Sequence, residues 1–278
     1  MTPMSHDDRV AMRDFYDSFG EREWLRLEQD PAGRVSFEVH RRFLERFVTP
    51  GMRVLEVGAG PGRFTFELAR LGARVVVTDF SPVQLELNRQ TVGTTKAEAA
   101  VEERRLLNVC DTSEFAGGQF DAVVAFGGPL SYAFDEAESA LRGLLRVTRP
   151  GGAVVASVMS MLGTWRFLLP GISQFAQERG EDLNDAIIAT GDTRLRGDGH
   201  LCKMFRSQEV LDLIGDSGGA LLAASASNWA SMNASDEVAA IEAEPERWAR
   251  FLDNEVAACA SRGAWDGGTH IIFAATHA

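Results

Sequence analysis

A glycine-rich segment between two carboxylates carries the strongest chemical signal in this chain. Glu56 lies in an apolar run and opens the sequence Glu-Val-Gly-Ala-Gly-Pro-Gly, which ends at Gly62. Asp79 stands at the end of the next apolar run. Glycines let a backbone turn sharply and come close to a ligand, and a carboxylate at a strand end can accept hydrogen bonds from a ribose. The pattern therefore predicts a nucleotide-type cofactor at the edge of a sheet.

The glycine spacing argues against two other nucleotide sites. The dinucleotide fingerprint is Gly-x-Gly-x-x-Gly, but here Gly62 comes one residue early and Arg63 stands in the place of the third glycine. No Gly-Lys-Ser/Thr follows, which excludes a phosphate-binding P-loop. A glycine loop alone could be an ordinary strand-to-helix turn. The loop together with Glu56 and Asp79 favours a cofactor site.

Composition excludes several classes of protein. The net charge of −12 disfavours nucleic-acid binding and docking on an anionic membrane. The three cysteines form no Cys-x-x-Cys pair, so we expect no disulfide framework, no metal site and a reducing compartment. The chain has no apolar run long enough for a membrane span, and residues 1–8 lack the apolar stretch of a signal peptide. A cytoplasmic location follows as an expectation.

Strand and helix patterns alternate along the chain. Buried strands are predicted at 54–57, 74–78, 105–110, 120–126, 153–158, 220–224 and 271–276. Such alternation predicts an α/β fold, a Rossmann-like, doubly wound, mostly parallel sheet with helices on both faces. We expect one domain, with a helical N-terminal cap over 1–50, a cofactor-binding core over 51–159, a substrate-cap insertion over 160–206, and the rest of the sheet over 207–278.

Four separate features fall at one edge of this predicted sheet. The glycine loop, Asp79, Asp111 and Phe126 all lie at or just after the carboxyl end of a strand. Ligands of open α/β sheets bind outside these strand ends. The agreement among four segments strengthens the prediction of a binding site there.

The core segment resembles the class I S-adenosylmethionine-dependent methyltransferases. The resemblance covers about residues 51–159 and includes the glycine loop and four further segments: Val75–Ser81, Asn108–Asp111, Phe120–Val124 and Arg149–Gly152. It implies a seven-stranded sheet whose last strand, at 271–276, runs antiparallel. Tyr16-Asp17 and the acidic segment Glu23–Glu28 also resemble a subgroup that acts on small molecules, in which N-terminal helices fold over the cofactor.

The resemblance also implies roles for individual residues in binding S-adenosylmethionine. The loop would hold the amino-acid end of the cofactor, Asp79 the ribose hydroxyls, and Phe80 the adenine. Asp111 would face the adenine amino group with the Cys110 backbone beside it. Tyr16 would contact the methionine end, although an aromatic side chain packing on the core is an equal alternative. The full set of expected cofactor residues is Tyr16, Glu56, Gly58, Ala59, Gly60, Gly62, Asp79, Phe80, Cys110, Asp111 and Phe126.

Candidates for catalysis and substrate binding come mainly from the insertion. His200 is the best candidate for a general base, because an imidazole titrates near neutral pH; Tyr16 is the second catalytic candidate. Asp198 could orient His200, or either residue could simply be exposed in a loop. Residues that could contact the substrate are Trp165, Arg166, His200 and Phe205, with core packing or solvation as the plain alternatives.

The predicted function is methyl transfer from S-adenosylmethionine to an N, O or C atom of a small-molecule metabolite. Enzymes that methylate nucleic-acid bases resemble each other in an Asn/Asp-Pro-Pro-Tyr-like segment after strand four, where this chain reads Phe126-Gly-Gly-Pro-Leu130. A partner other than a small molecule is therefore not expected, and the chain should be a monomer or homodimer. The alternatives are a non-catalytic module that binds S-adenosylmethionine and a nicotinamide-dependent oxidoreductase.

Overall fold

The computed structural model describes residues 6–20, 24, 30–197 and 199–278. The strands of the described part are β1 Arg53–Val57, β2 Arg74–Asp79, β3 Val101–Leu106, β4 Phe120–Ala125, β5 Thr148–Met159, β6 Gly219–Ala226 and β7 His270–His277. They form one seven-stranded sheet in the order β3-β2-β1-β4-β5-β7-β6. The pairs from β3 to β5 are parallel, and β7 is antiparallel to β5 and β6. The predicted α/β class and the antiparallel last strand are confirmed.

Helices cover both faces of the sheet. They are α1 His6–Phe19, α2 Pro31–Leu44, α3 Arg63–Arg70, α4 Pro82–Gly93, α5 Ala137–Val147, α6 Met161–Phe167, α7 Leu169–Arg179, α8 Glu181–Thr190, α9 Ser207–Asp216, α10 Ser235–Glu242 and α11 Pro245–Ala260. The start of α4 is capped by a serine side chain. Ser81 Oγ accepts a hydrogen bond from the Gln84 backbone N–H at 3.1 Å, and Pro82 takes the first helical position.

Alternate residues of the central strands supply two separate cores. Leu55 and Val57 of β1 pack on the side of α5 and α9, whereas Val54 packs on the side of α2, α3 and α11. Successive side chains of a strand point to opposite faces, so a strand buried on both faces reads as a continuous apolar run. Glu56 shares a face with Val54, which directs its carboxylate toward α3.

The third strand lies earlier in the sequence than expected. We predicted 105–110 from the apolar run around Leu107 and Val109, but β3 covers Val101–Leu106. The strand is at the edge of the sheet, and its charged residues are partly exposed there. The buried Leu107 and Val109 belong to the segment that follows β3. An edge strand need not carry the apolar pattern by which buried strands are recognised.

The segments outside the central sheet take two positions. Helices α6, α7 and α8 lie between β5 and α9 in the chain, within the span predicted as an insertion. Helix α2 packs against α10 and α11, and Arg34 pairs with Glu242 across that contact. Helix α1 contacts α4, where Ser81 Oγ donates to the Asp17 carboxylate. None of the helices described is both long and apolar enough to cross a membrane.

Candidate cofactor-binding and active site

The turn after β1 uses glycine at positions that exclude a side chain. Gly58 has a φ of +71°, and a Cβ there would lie 2.7 Å from Cγ of Pro129. Gly60 also has a positive φ, of +53°. L-residues with a side chain rarely adopt this region. The loop therefore packs its backbone against the segment that follows β4, and its peptide groups border an open space.

Asp79 connects the loops that follow β1 and β2. Its Oδ2 accepts a hydrogen bond from the Gly60 backbone N–H, and its Oδ1 accepts one from the Ser81 N–H, each at 2.8 Å. The side chain lies at the end of β2 and is largely buried. Because both loops depend on this one carboxylate, Asp79 fixes the shape of the glycine loop as well as lining the space beside it.

Glu56 lies beneath this loop and is only 2% exposed. Its Oε2 accepts a hydrogen bond from Thr65 Oγ1 at 2.7 Å, and Thr65 in turn accepts one from Asn88 Nδ2 at 3.0 Å. Burial raises the pKa of Glu56 to about 8, and the negative charge of Asp79 adds to the rise. The Glu56 side chain is thus mainly protonated at neutral pH and supports the loop from below.

A cavity of about 390 Å³ opens beside the glycine loop at the carboxyl edge of the sheet. This volume lies within the range of small-molecule sites. One set of the cavity's lining residues, which we call the glycine-loop half, comes from the ends of β1, β2 and β3 and the segments that follow them: Gly58, Ala59, Gly60, Asp79, Phe80, Leu107, Asn108, Val109 and Cys110. The structure thus brings together six of the predicted cofactor residues in this half, from the segments after β1, β2 and β3.

A second set of lining residues, which we call the aromatic half, comes from α1, α3, β5, β7 and the segments after β4 and around His200: Phe15, Phe64, Phe126, Tyr132, Met159, His200 and His270. Phe126 is a predicted residue, and its ring lies 4.8 Å from that of Phe64. His200 Nε2 lies 3.1 Å from the Tyr132 hydroxyl. Phe15 stacks on the His200 ring at 5.1 Å. This half therefore combines aromatic and apolar side chains with a histidine that is hydrogen-bonded to a tyrosine.

Three expected cofactor residues lie outside the cavity lining: Glu56, which lies beneath the loop, Gly62 and Asp111. Gly62 precedes α3 and has a φ of +105°. A Cβ there would lie 2.6 Å from Val92 Cγ2 in α4, so this position needs glycine for the packing against α4. Asp111 is exposed, and its Oδ1 accepts a hydrogen bond from Ser113 N at 3.0 Å. Because β3 ends at Leu106, Asp111 falls too far beyond the strand end. Asn108 lines the cavity instead.

Three expected substrate residues are also absent from the lining. Trp165 is 38% exposed, and Arg166 donates from Nη2 to the Gly267 carbonyl at 2.5 Å. Phe205 is buried in the core on the α5 side of the sheet. The insertion contributes His200 to the cavity but not these three. The Tyr16 side chain and Asp198 lie outside the described residues, so their predicted roles remain predictions.

Several lining residues were not expected from the sequence. They are Met12, Phe15, Trp24, Pro61, Arg63, Phe64, Gln84, Leu107, Asn108, Val109, Gly127, Pro129, Tyr132, Met159 and His270. Asn108 and Pro129 could have been found from their positions after β3 and β4. His270 could not, because its place depends on an antiparallel strand that sets it opposite Met159.

Comparisons with known proteins indicate which kind of domain contains this cavity. A family model described as a methyltransferase domain matches residues 54–152, from β1 to the start of β5. This segment is therefore similar in sequence to a methyltransferase domain. The matched segment contains the glycine loop, Asp79 and the segments after β3 and β4. These parts of the chain contribute most of the residues that line the cavity.

Relatives and solved structures agree with this assignment. Demethylmenaquinone methyltransferase from Mycolicibacterium paratuberculosis is 37% identical over 114 residues, covering 41% of this chain and 44% of that protein. A solved structure from Thermotoga maritima, described as a possible histamine N-methyltransferase, superposes with a TM-score of 0.60 at 14% identity. The superposition covers 96% of this chain and 100% of the Thermotoga chain. The cyclase SpnF has a TM-score of 0.54 at 18% identity, covering 85% of this chain and 80% of its own.

The coverage and identity of these matches limit what can be assigned to the chain. The chain spans about half the length of the curated relatives it matches. The two solved structures show a shared fold, and one of them is named for cyclisation instead of methyl transfer. The fold therefore accommodates more than one reaction. Among the residues that the structure describes, no group of three or more His, Cys, Asp or Glu side chains could hold a metal ion.

Proposed function

We propose that this protein binds S-adenosylmethionine in the glycine-loop half of the cavity and transfers its methyl group to a small molecule held in the aromatic half. The acceptor atom is N, O or C. One observation carries the proposal: Gly58, Gly60 and Asp79 border the same open cavity at the carboxyl ends of β1 and β2. The match to a methyltransferase domain also favours S-adenosylmethionine as the cofactor.

The residues of the glycine-loop half suit an adenosyl group with an amino-acid tail. The loop after β1 borders the cavity with Gly58 and Gly60, which have no side chains, so a ligand can lie close to the backbone. A carboxylate has about four acceptor positions, so Asp79 can hold the loop and also accept from ribose hydroxyls. Phe80, 38% exposed, and the apolar segment 107–110 would enclose the adenine.

When bound, S-adenosylmethionine supplies a methyl group already activated by the positive sulfonium. The protein does not have to create an electrophile. Its residues have to hold the acceptor in line, exclude water and, where the acceptor carries a proton, remove it. The apolar side chains of the aromatic half would exclude water, and His200, which lines the cavity, would serve as the base.

A small-molecule acceptor is favoured by the shape and charge of the protein. The aromatic half is enclosed by side chains from α1, α3 and the segments after β4 and β5. The net charge of −12 disfavours nucleic acid as the acceptor. The matched relative from Mycolicibacterium paratuberculosis is named for methylating demethylmenaquinone, which is also a small molecule. A cytoplasmic location is part of the proposal, supported by the three free cysteines.

Calorimetric titration with S-adenosylhomocysteine and, separately, NADH tests the cofactor. We expect one S-adenosylhomocysteine to bind per chain and NADH to give no heat and no competition. Binding of NADH in its place would favour the oxidoreductase alternative. Incubation with S-adenosylmethionine and a panel of acceptors then separates an enzyme from a regulatory module. Release of S-adenosylhomocysteine with at least one acceptor is the expected result, and cofactor binding without any release would contradict catalysis.

A further inference from the structure

The aromatic half of the cavity is built from parts of the sheet that lie away from the glycine loop. In the strand order, β4, β5 and β7 follow one another on the side of β1 opposite to β2. Because β7 is antiparallel, its first residue, His270, pairs with Met159 at the last position of β5. Both residues line the cavity. The aromatic half is therefore a second subsite along the same edge, next to the proposed cofactor site.

The charges lining the cavity are distributed unevenly between its halves. Among the described lining residues, the side chains with permanent charge are Asp79 and Arg63. Asp79 belongs to the glycine-loop half, and Arg63 stacks on Trp24 at 4.1 Å while donating from Nη2 to the Trp24 carbonyl at 2.7 Å. The residues that the structure describes in the aromatic half include no carboxylate, lysine or arginine. Burying a charged group there would be costly, so this subsite suits a neutral, flat molecule.

One polar pair stands in this apolar surrounding. His200 Nε2 and the Tyr132 hydroxyl lie 3.1 Å apart, and both side chains line the cavity. The backbone holds the pair together, because Lys203 N donates to the Ser131 carbonyl at 2.8 Å, next to Tyr132 in the chain. Thr193 Oγ1 donates to the His200 carbonyl at 3.0 Å and fixes the other segment. A neutral imidazole can accept the proton of a hydroxyl within this distance.

We propose that the methyl acceptor is a neutral aromatic or enolic hydroxyl compound, and that Tyr132 and His200 together remove its hydroxyl proton. This inference rests on the proposed function, and it chooses oxygen among the acceptor atoms left open there. A protonated amine is disfavoured because the described residues of this subsite offer it no carboxylate. The aromatic residues provide stacking surfaces for a ring.

Two protons move in one concerted step. The acceptor O–H bond breaks and its proton passes to the Tyr132 oxygen, while the Tyr132 proton passes to His200 Nε2. The products are an acceptor oxyanion and an imidazolium, and the tyrosine is neutral before and after the step. The imidazolium later returns its proton to solvent. The Phe15 ring, stacked on His200, holds the imidazole plane in one orientation.

A chromogenic phenol tests this step without any methyl transfer. We would titrate the protein, saturated with S-adenosylhomocysteine, with 4-nitrophenol, and with 4-nitroanisole as the probe that has no proton to lose. Below the pKa of the free phenol, we expect the protein to bind 4-nitrophenol as the yellow phenolate. Tyr132→Phe and His200→Gln should each lower the bound phenolate at least tenfold and leave 4-nitroanisole affinity within twofold. His277→Gln, at the far end of β7, should match the unmodified protein.

The outcomes separate this proposal from the proposed function. If S-adenosylhomocysteine binds but 4-nitrophenol either does not bind or stays protonated, the acceptor class is wrong while the cofactor assignment stands. If Tyr132→Phe retains the full phenolate signal, Tyr132 takes no part and the relay is wrong. If S-adenosylhomocysteine itself does not bind, the proposed function fails and this inference fails with it. Equal S-adenosylhomocysteine affinity in all variants shows that each one is folded.

Discussion

The two halves of the cavity are built in different ways. The glycine-loop half comes from the ends of three neighbouring strands, β1, β2 and β3, and its shape depends on backbone conformation and one carboxylate. The aromatic half comes from α1, α3, β5, β7 and the segments around Tyr132 and His200, and its character depends on side chains. The first arrangement suits a fixed cofactor. The second can change with single substitutions, which is what a choice of substrate requires.

The largest expected effect is that of Gly62→Ala, at the end of the glycine loop, which should lower the free energy of unfolding by about 2–4 kcal/mol. The added Cβ would sit 2.6 Å from Val92 Cγ2, in a backbone with a φ of +105°. Left-handed strain and overpacking each cost about 1–3 kcal/mol. Urea denaturation measures the change. Gly171→Ala, in α7 with open space around it, is the matched control and should be neutral or slightly stabilising. Equal stabilities for the two variants would contradict the packing role.

Asp79→Ala should weaken S-adenosylhomocysteine binding by about 1–3 kcal/mol, the range for hydrogen bonds to a charged group. The substitution removes the acceptor for Gly60 and Ser81 as well as the proposed ribose contact. Calorimetry provides the affinity. Asp111→Asn serves as the control, since this carboxylate is exposed and outside the cavity lining. If Asp111→Asn weakened binding as much as Asp79→Ala, the placement of the adenine would have to be revised.

Glu56→Gln should stabilise the protein more at pH 8 than at pH 5, by about 1–3 kcal/mol. Burial raises the pKa of the folded carboxyl to about 8, from an ordinary 4.5. Between these values the unfolded chain loses the proton and the folded chain keeps it, so stability falls as pH rises from about 4.5 to about 8. Glutamine stays neutral and can still accept from Thr65. Denaturation curves of both proteins at the two pH values would show the difference, and a pH-independent gap would contradict it.

The sequence was informative wherever function depends on consecutive residues. The glycine loop and Asp79 were predictable because a sharp turn needs glycine and a strand end is marked by the close of an apolar run. Placing Asp111 at the site was wrong for a related reason. The charged pattern of β3 concealed its bounds, so the predicted strand end was four residues late and Asn108 was overlooked.

The aromatic half could not be predicted in the same way. Tyr132 lies in a short 3₁₀ helix, and its partner His200 is 68 residues away in the chain. His270 reaches the cavity only through the pairing of β7 with β5. The side chains of Trp165 and Arg166 were suitable but lie in the wrong place, because residue type does not reveal which face of an inserted helix meets the core. Phe205 follows the inserted helices and is buried in the core. Only the tertiary structure brings such distant residues together.

The most direct test of the central claim is a crystal structure of the protein grown with S-adenosylhomocysteine. We expect its ribose hydroxyls within hydrogen-bond distance of Asp79, its amino-acid end against Gly58–Gly60, and its sulfur facing the aromatic half. Electron density for the ligand elsewhere, or an open cavity without it at saturating concentration, would contradict the assignment of this edge of the sheet as the cofactor site.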